Sequence, residues 1–292
     1  MADKLSEKDI ENINIEGTEE YAVMPLRNTV LFPQQVIPIY IGREKSLKLI
    51  SDLELEKRKY IIVVAQEDGS IEDPSTEDLY SYGTLATVLK VFAMPDNSKS
   101  AIVQGIARVK ILDYLEKEPY FKAAASKVSD EPVPDQLEID DIVDNLRTSF
   151  SDLIKVAPNL TEEHTGMLSN IKKPNRLVDR AISLMTLPNQ EKQEILEEVN
   201  IKNRIDKAIS IINREIQRIK LGEEIQTEVH DEIAKTQREY YLREQMKAIQ
   251  KELGEDEGTV ELKELEDRIK AAKMPEESEA IAIKELDRLS RI

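Results

Sequence analysis

The chain has 292 residues and a formal net charge of −17, because 58 Asp and Glu outnumber 41 Lys and Arg. Apolar residues make up 40% of it, enough for a packed core in about two domains, and with 4% aromatic residues and no Trp that core must be aliphatic. The lack of cysteine excludes disulfides, thiol catalysis and cysteine zinc sites, and the acidic excess makes nucleic acid an unfavoured partner.

Residues 1–20 contain seven acids and two lysines with little apolar periodicity, which predicts a flexible acidic tail. Residues 21–128 are rich in short β-branched runs, at 36–41, 60–64, 83–92, 101–103 and 107–111. Pro33 and Pro38 indicate an edge or bent strand. One helix is predicted from Arg43 to about Leu55. The prediction is a small mostly-β domain, a partly open barrel or sandwich with one helix.

A linker with two prolines at 129–134 precedes a change to helical periodicity from 135 to 253. Pro174 and Pro188 separate short helices, and from Asn189 the pattern runs unbroken to about Leu253 with a coiled-coil-like isoleucine seam. At ~1.5 Å per residue, residues 223–253 alone would span roughly 45 Å. The predicted fold is therefore α+β, the β domain being followed by an all-α bundle and a very long projecting helix.

A glycine-flanked acidic segment at 254–258 predicts a hinge, and residues 259–292 contain two further helical patterns. The last pattern shows no stop signal before Ile292, which we interpret as the start of a helical connection to a further module.

Several functional signals are absent from the sequence. The N-terminus has no apolar signal region, no window approaches the ~18 apolar residues of a membrane span, and no glycine pair has the spacing of a G-x-x-x-x-G-K-[ST] phosphate loop. His164 and His230 lie far apart, so we predict solvated or capping histidines and not metal ligands. We expect a soluble cytoplasmic protein with no membrane partner, and no metal or cofactor site in this segment.

Several motifs resemble those of a known family. Residues 25–28 (PLRN), 31–33 (LFP), 37–38 (IP), 42–46 (GREKS), 83–86 (GTLA) and 104–108 (QGIAR) are similar to the N-terminal domain of the Lon protease family. Residues 236–254 (TQREYYLREQMKAIQKELG) and 271–275 (AAKMP) resemble bacterial Lon more specifically. The resemblance extends from about Tyr21 to the end of the chain.

The resemblance implies an ATP-dependent serine protease that assembles as a homohexamer and degrades misfolded, damaged and short-lived regulatory proteins. Its ATPase module, which needs ATP and Mg, and its Ser-Lys dyad would lie beyond residue 292, so no catalytic or nucleotide residue is assigned here. This segment would capture unfolded or degron-bearing chains without catalysing their cleavage. The alternatives are a free-standing holdase or adaptor without proteolysis and a structural coiled-coil scaffold.

Substrate capture needs accessible apolar surface, which aromatic and Met side chains provide in adaptable form. The candidate substrate-binding residues are Leu31, Phe32, Met94, Tyr240, Tyr241 and Met246. Core packing is the competing interpretation for each of them, although Tyr240 and Tyr241 cannot both face one seam. A locally basic helix at 202–220 allows DNA as a further partner, but a solvated, internally paired face is favoured.

Overall fold

The computed structural model describes residues 20–56, 60–131, 136–253 and 255–289. The chain divides into two compact units, Met1–Lys220 and Leu221–Ile292. The strands are β1 (Glu20–Leu26), β2 (Val36–Ile41), β3 (Tyr60–Ala65), β4 (Tyr82–Ala93), β5 (Lys99–Glu116) and β6 (Lys122–Lys127). The helices are α1 (Glu44–Glu56), α2 (Gln136–Val156), α3 (Glu162–Ser169), α4 (Pro174–Leu184), α5 (Asn189–Glu197), α6 (Ile201–Leu253), α7 (Glu255–Ala271) and α8 (Glu276–Leu289).

The strands form one sheet in the order β2-β5-β4-β3-β1-β6, in which β1 and β3 are parallel and the other pairs antiparallel. Strand β5 also pairs with β6, so five strands pair in a closed cycle. Strand β2, which contains Pro38, lies outside this cycle at the edge of the sheet, in agreement with the predicted edge strand. The runs expected at 101–103 and 107–111 are parts of the single strand β5. Register shifts in the pairing of β5 with β4 and β6 bend the strand, which allows β5 to pair with β2, β4 and β6.

The core is aliphatic, as predicted, and it is buried on both faces of the sheet. Along β3, Ile61 and Val63 enter one apolar cluster with α1, while Ile62 and Val64 enter another. A third cluster contains the helices α2 to α6 together with Phe32 from the sheet side. The sheet and the helices of the first unit therefore pack against each other.

The helical pattern from Asn189 is interrupted, so the prediction of an unbroken helix is wrong. Helix α5 ends at Glu197 and α6 begins at Ile201. Asn200 caps α6, because its side-chain oxygen accepts from the Asn203 N–H at 3.1 Å and its carbonyl accepts from the Arg204 N–H at 2.9 Å. An Asn in this role favours a helix start over a helix interior.

The predicted α+β class is confirmed, including the long helix, since α6 has 53 residues. Its C-terminal part, with α7 and α8, forms the second unit. The predicted hinge at 254–258 is helical from Glu255 onward, because acidic residues are favourable in the first turn of a helix. Gly254, the tail up to residue 19 and linker residues 132–134 lie outside the described residues. The predicted domain boundaries stay predictions.

Candidate functional site

A cleft of about 630 Å³ opens between the sheet and the helices of the first unit. One wall is the loop between β1 and β2, residues 32–36, and the other is formed by residues 170–173 and by one face of α4. Its volume lies in the range of about 300–1,000 Å³ that is typical of ligand sites. Because its walls come from distant parts of the sequence, the cleft exists only through the packing of sheet and helices.

Backbone contacts hold the loop wall in one conformation. The Gln34 N–H donates to the Gly105 carbonyl and the Gly105 N–H donates to the Gln35 carbonyl, both at 2.9 Å. Gln34 has a φ of 64°, and the Gln35 side-chain oxygen accepts from the Phe32 N–H at 3.0 Å. A Cβ at Gly105 would lie 2.2 Å from the Phe32 carbonyl oxygen, so this close approach requires glycine.

The helical wall is cationic. Lys172 and Lys173 are exposed, and Arg176 and Arg180 are partly exposed, all four lining the cleft. Asp179 is the acid among the described lining residues, and its side chain is buried. By residue type, the described residues that line this wall therefore include four basic residues and one acidic residue, in a chain whose net charge is −17.

Asp179 belongs to a buried ionic network that joins the sheet to the helices. The Arg108 side chain on β5 donates to Asp179 Oδ1 at 2.5 Å and to the Leu196 carbonyl at 2.9 Å. Arg204 Nη1 lies 3.8 Å from the same Asp179 oxygen, and Arg204 Nη2 pairs with Asp130. Both arginines are buried, so the two carboxylates compensate their charge.

The network also sets the ionisation of Asp130. Burial disfavours the charged carboxylate, but Arg204 and Arg108 nearby, and hydrogen bonds from Arg204 and Asn175, outweigh burial and lower the pKa of Asp130 below its ordinary value. The Asn175 side chain donates to Asp130 Oδ2 at 2.7 Å. Asp130 is thus ionised at neutral pH and fixes the start of α4 and α6 against the segment after β6.

Helix α6 carries exposed apolar side chains within the second unit. We define the apolar stripe as Leu221, Ile225, Val229, Ile233, Tyr240, Tyr241, Leu242, Met246 and Ile249, all of which are exposed. In the first unit, by contrast, the apolar α6 residues Ile205, Ala208 and Ile212 are buried. Apolar side chains repeating along one helix, and left exposed over several turns, indicate a surface for another polypeptide.

Residues 20–214 match the family model described as the ATP-dependent protease La (LON) substrate-binding domain. This match covers most of the chain and contains both walls of the cleft. The chain belongs to the Lon protease family.

The Lon protease of Koribacter versatilis is 41% identical over 272 residues, which cover 92% of this chain and 33% of that protein. The Lon protease of Dictyoglomus thermophilum is 40% identical over 273 residues, covering 93% and 34%. The N-terminal domain of the Mycobacterium avium complex Lon protease has the same fold, with a TM-score of 0.55 and 19% identity over 67% of this chain and 98% of that one. The chain spans about a third of the Lon relatives' length and corresponds to their N-terminal region.

The structure corrects the expected exposure of two candidate residues. Leu31 is 2% exposed and packs in the sheet cluster with α1, while Phe32 is 1% exposed and packs against the helical bundle. Both are apolar and their loop is folded back on Gly105, so burial stabilises them more than contact with solvent. Phe32 contributes to the cleft wall, but neither residue offers accessible apolar surface of the kind predicted.

The other four candidates are exposed. Met94, in the turn between β4 and β5, is 42% exposed. Tyr240, Tyr241 and Met246 are 68%, 62% and 62% exposed on α6, so both tyrosines are accessible. Their substrate-binding role remains a prediction, now on side chains that are available for contact.

Sequence reasoning missed the cleft cations. The available signal was the basic sequence from Lys172 to Arg180, in a chain with an excess of acids. The basic helix at 202–220 is different, because Arg204 is buried in the ionic network and Arg218 and Lys207 pair with nearby glutamates. That distribution favours the internally paired face over a DNA surface.

The residues that the structure describes contain no group of three or more His, Cys, Asp or Glu placed to hold a metal ion, and no helix among them is both long and apolar enough to cross a membrane. His164 caps α3, its Nδ1 accepting from the Thr161 N–H at 3.0 Å. With no phosphate-loop glycines in the sequence, the residues of this chain do not fit the ATP and Mg that the family implies.

Proposed function

We propose that this chain is the substrate-recognition and assembly region of an ATP-dependent serine protease of the cytoplasm. In this proposal it captures unfolded or degron-bearing proteins and is itself non-catalytic. The observation that carries the proposal is the position of the cleft, which lies wholly within the residues matching the Lon substrate-binding domain.

The cleft suits capture of an extended segment. Its loop wall is fixed by backbone hydrogen bonds and its helical wall by the buried ionic network, so the site is largely formed before a ligand binds. Preformed sites bind more tightly because less ordering accompanies binding. Unfolded chains offer the extended backbone and accessible side chains that such a site needs.

The apolar stripe provides a second surface for the same function. Tyr240 and Tyr241 are adjacent on α6 and Met246 follows between one and two turns later, and all three present large, adaptable side chains. We propose that they contact substrate chains or neighbouring subunits of a homohexamer, with Met94 as a further contact on the first unit. ATP hydrolysis, supported by Mg, and peptide-bond cleavage by a Ser-Lys dyad are proposed for the full-length protein.

Binding of fluorescein-labelled casein, an unfolded protein, tests substrate capture. We expect the unmodified chain to bind it, and replacement of Tyr240, Tyr241 and Met246 by Ala to weaken binding. Replacement of Lys235, Gln237 and Glu239 by Ala is the matched control, because these residues are exposed on the same helix segment. Equal casein binding by both triple variants would show that these three stripe residues do not contact substrate. Sedimentation velocity on the same proteins measures their oligomeric state and so separates loss of substrate contact from loss of self-association.

The holdase or adaptor alternative is tested in native cells. Intact-mass analysis and peptide mapping of the endogenous protein report whether its chain continues past Ile292. Peptides beyond that residue that include a phosphate-loop motif would support the protease, whereas a native chain ending there would favour the free-standing binding module.

A further inference from the structure

A second pocket, of about 450 Å³, opens in the first unit at the opposite end of β2 from the cleft. Its lining consists of residues 24–27 at the end of β1, residues 39–43 at the end of β2, Ser46 in the first turn of α1 and Glu72 in the loop after β3. We call it the strand-end pocket. Its volume lies in the range of about 300–1,000 Å³ that is typical of ligand sites.

Part of this lining is apolar. Leu26 and Ile41 line the pocket and belong to the buried sheet cluster with α1. The Tyr40 side chain is 68% exposed and its ring lies against Gly42, where a Cβ would come within 3.0 Å of Tyr40 Cε1. The Tyr40 hydroxyl donates to Asp96 Oδ2 at 3.1 Å. The ring therefore offers accessible apolar surface in a fixed position.

The lining also contains two arginines that neutral acceptors hold in place. Arg27 Nε donates to the Gly69 carbonyl at 2.7 Å, and its Nη2 donates to the Ser70 carbonyl at 3.4 Å. Arg43 Nη2 donates to the side-chain oxygen of Gln66 at 2.7 Å. Among the described residues, these bonds leave Nη1 of both arginines without a hydrogen-bond acceptor. Each guanidinium group is thus fixed and keeps a donor for a ligand.

Two nearby acids compensate these arginines weakly. Glu72 lies 4.0 Å from Arg27 Nη2 and its side chain is 93% exposed, so water screens the pair. Burial and the nearby Arg27 lower the pKa of Arg43 below its ordinary value, and the opposing effects of Asp73 and Glu72 are smaller. A carboxylate in the pocket would reduce the repulsion between the guanidinium groups and receive charge-assisted hydrogen bonds from them.

We propose that the strand-end pocket binds the C-terminal carboxylate of substrate polypeptides that end in an apolar residue. Arg27 and Arg43 bind the carboxylate, and the Tyr40 ring contacts the last side chain. The terminal residue of a polypeptide suits such a pocket, because only there do a main-chain carboxylate and an apolar side chain share one Cα. This inference rests on the proposed substrate-recognition function and names the class of segment recognised.

Fluorescence anisotropy with three N-terminally labelled peptides tests the proposal on the whole chain. The first peptide has an uncharged sequence that ends in Leu with a free carboxylate, and the second is the same peptide with a C-terminal amide. The third is also amidated and has Glu in place of the last Leu. We expect the free acid to bind about tenfold more tightly than either amide. This advantage should shrink as salt rises from about 50 to about 300 mM.

Replacement of either pocket arginine tests the assigned residues. Arg27→Gln and Arg43→Gln should each remove most of the advantage of the free acid over its amide. The matched control is Arg218→Gln, which changes the net charge equally at an exposed position on α6 and should keep the advantage. Loss of the advantage in the control as well would overturn the proposal, because the effect would then follow net charge. Circular dichroism spectra check that all three variants fold.

A fourth variant keeps the test independent of how well the arginine variants fold. Glu72→Gln changes a side chain that is 93% exposed and removes an acid near Arg27. Because Glu72 competes with a ligand carboxylate for this arginine, its replacement should tighten binding of the free acid by about twofold, with the amide unaffected. Weaker binding of the free acid by this variant would contradict the assignment.

The remaining outcomes distinguish this inference from the proposed function. Equal binding of the free acid and its amide would overturn recognition of the terminal carboxylate. Binding of the Glu peptide as tightly as the free acid would overturn it too, because the pocket would then take any carboxylate. If labelled casein binds and the three peptides do not, this inference fails and substrate capture stands. Failure of casein to bind as well would contradict both.

Discussion

Replacing Asp179 by Asn tests whether the buried ionic network holds the sheet to the helices. At an effective dielectric constant of about 20, the 2.5 Å contact with Arg108 is an attraction of roughly 6–7 kcal/mol before desolvation is counted. Arg204 adds a weaker attraction at 3.8 Å. Removing one charge of a buried pair leaves its partner uncompensated, so we expect a loss of about 3–5 kcal/mol in the free energy of unfolding.

Urea denaturation followed by circular dichroism measures this loss, and hydrogen exchange of peptides from β5 and α4 locates it. The control is Asp144→Asn, which removes an exposed ion pair with Arg147 and should change stability by less than about 1 kcal/mol. A loss of the same small size for Asp179→Asn, with unchanged exchange in α4, would refute the reasoning. Replacing Arg108 by Met as well should recover part of the loss, because a buried charge without its partner is removed.

Three further results are expected. Gly105→Ala should destabilise the chain by about 1–3 kcal/mol, because the new Cβ would overlap the Phe32 carbonyl. Gly222→Ala should stabilise it by up to about 1 kcal/mol, because the space around Gly222 on α6 is open. A higher urea midpoint for Gly105→Ala than for Gly222→Ala would contradict this. Because its pKa is lowered on folding, Asp130 stabilises the native state fully above its unfolded pKa near 4, and this contribution is lost as the pH falls below that value. The stability difference between the unmodified chain and Asp130→Asn should therefore be constant from about pH 5 to 7 and shrink below about pH 4, and a difference that persists in acid would argue against it. The purified chain should neither hydrolyse ATP nor cleave casein, and nucleotide-dependent cleavage would show that it holds a catalytic site.

Much of the fold is predictable because its determinants are local. The bounds of β2 and of α1 follow from a β-branched run with prolines and from an apolar spacing of three residues, both visible within a dozen residues. The long α6 follows from sustained periodicity in the same way. Patterns of this kind depend on the identity of near neighbours, which the sequence shows directly.

The break before α6 and the burial of Phe32 were not predictable by the same means. Asn200 falls within a continuous apolar pattern, and only its hydrogen bond to the Asn203 N–H makes it a helix cap. Phe32 stands beside a proline, which suggests an exposed loop, but its loop folds onto Gly105 of a distant strand. In both cases a contact that periodicity does not encode decides the structure.

The candidate site depends even more on distant contacts, because its helical wall is held by a residue outside it. Arg108 does not line the cleft, but it donates to Asp179, which does, at 2.5 Å. One carboxylate therefore links the stability of the first unit to the position of the cleft wall. Asp179→Asn should lower stability and also weaken casein binding by the folded fraction, because α4 is then held less firmly against β5. A variant that stays folded and binds casein as the unmodified chain does would show that the cleft wall keeps its place without Asp179.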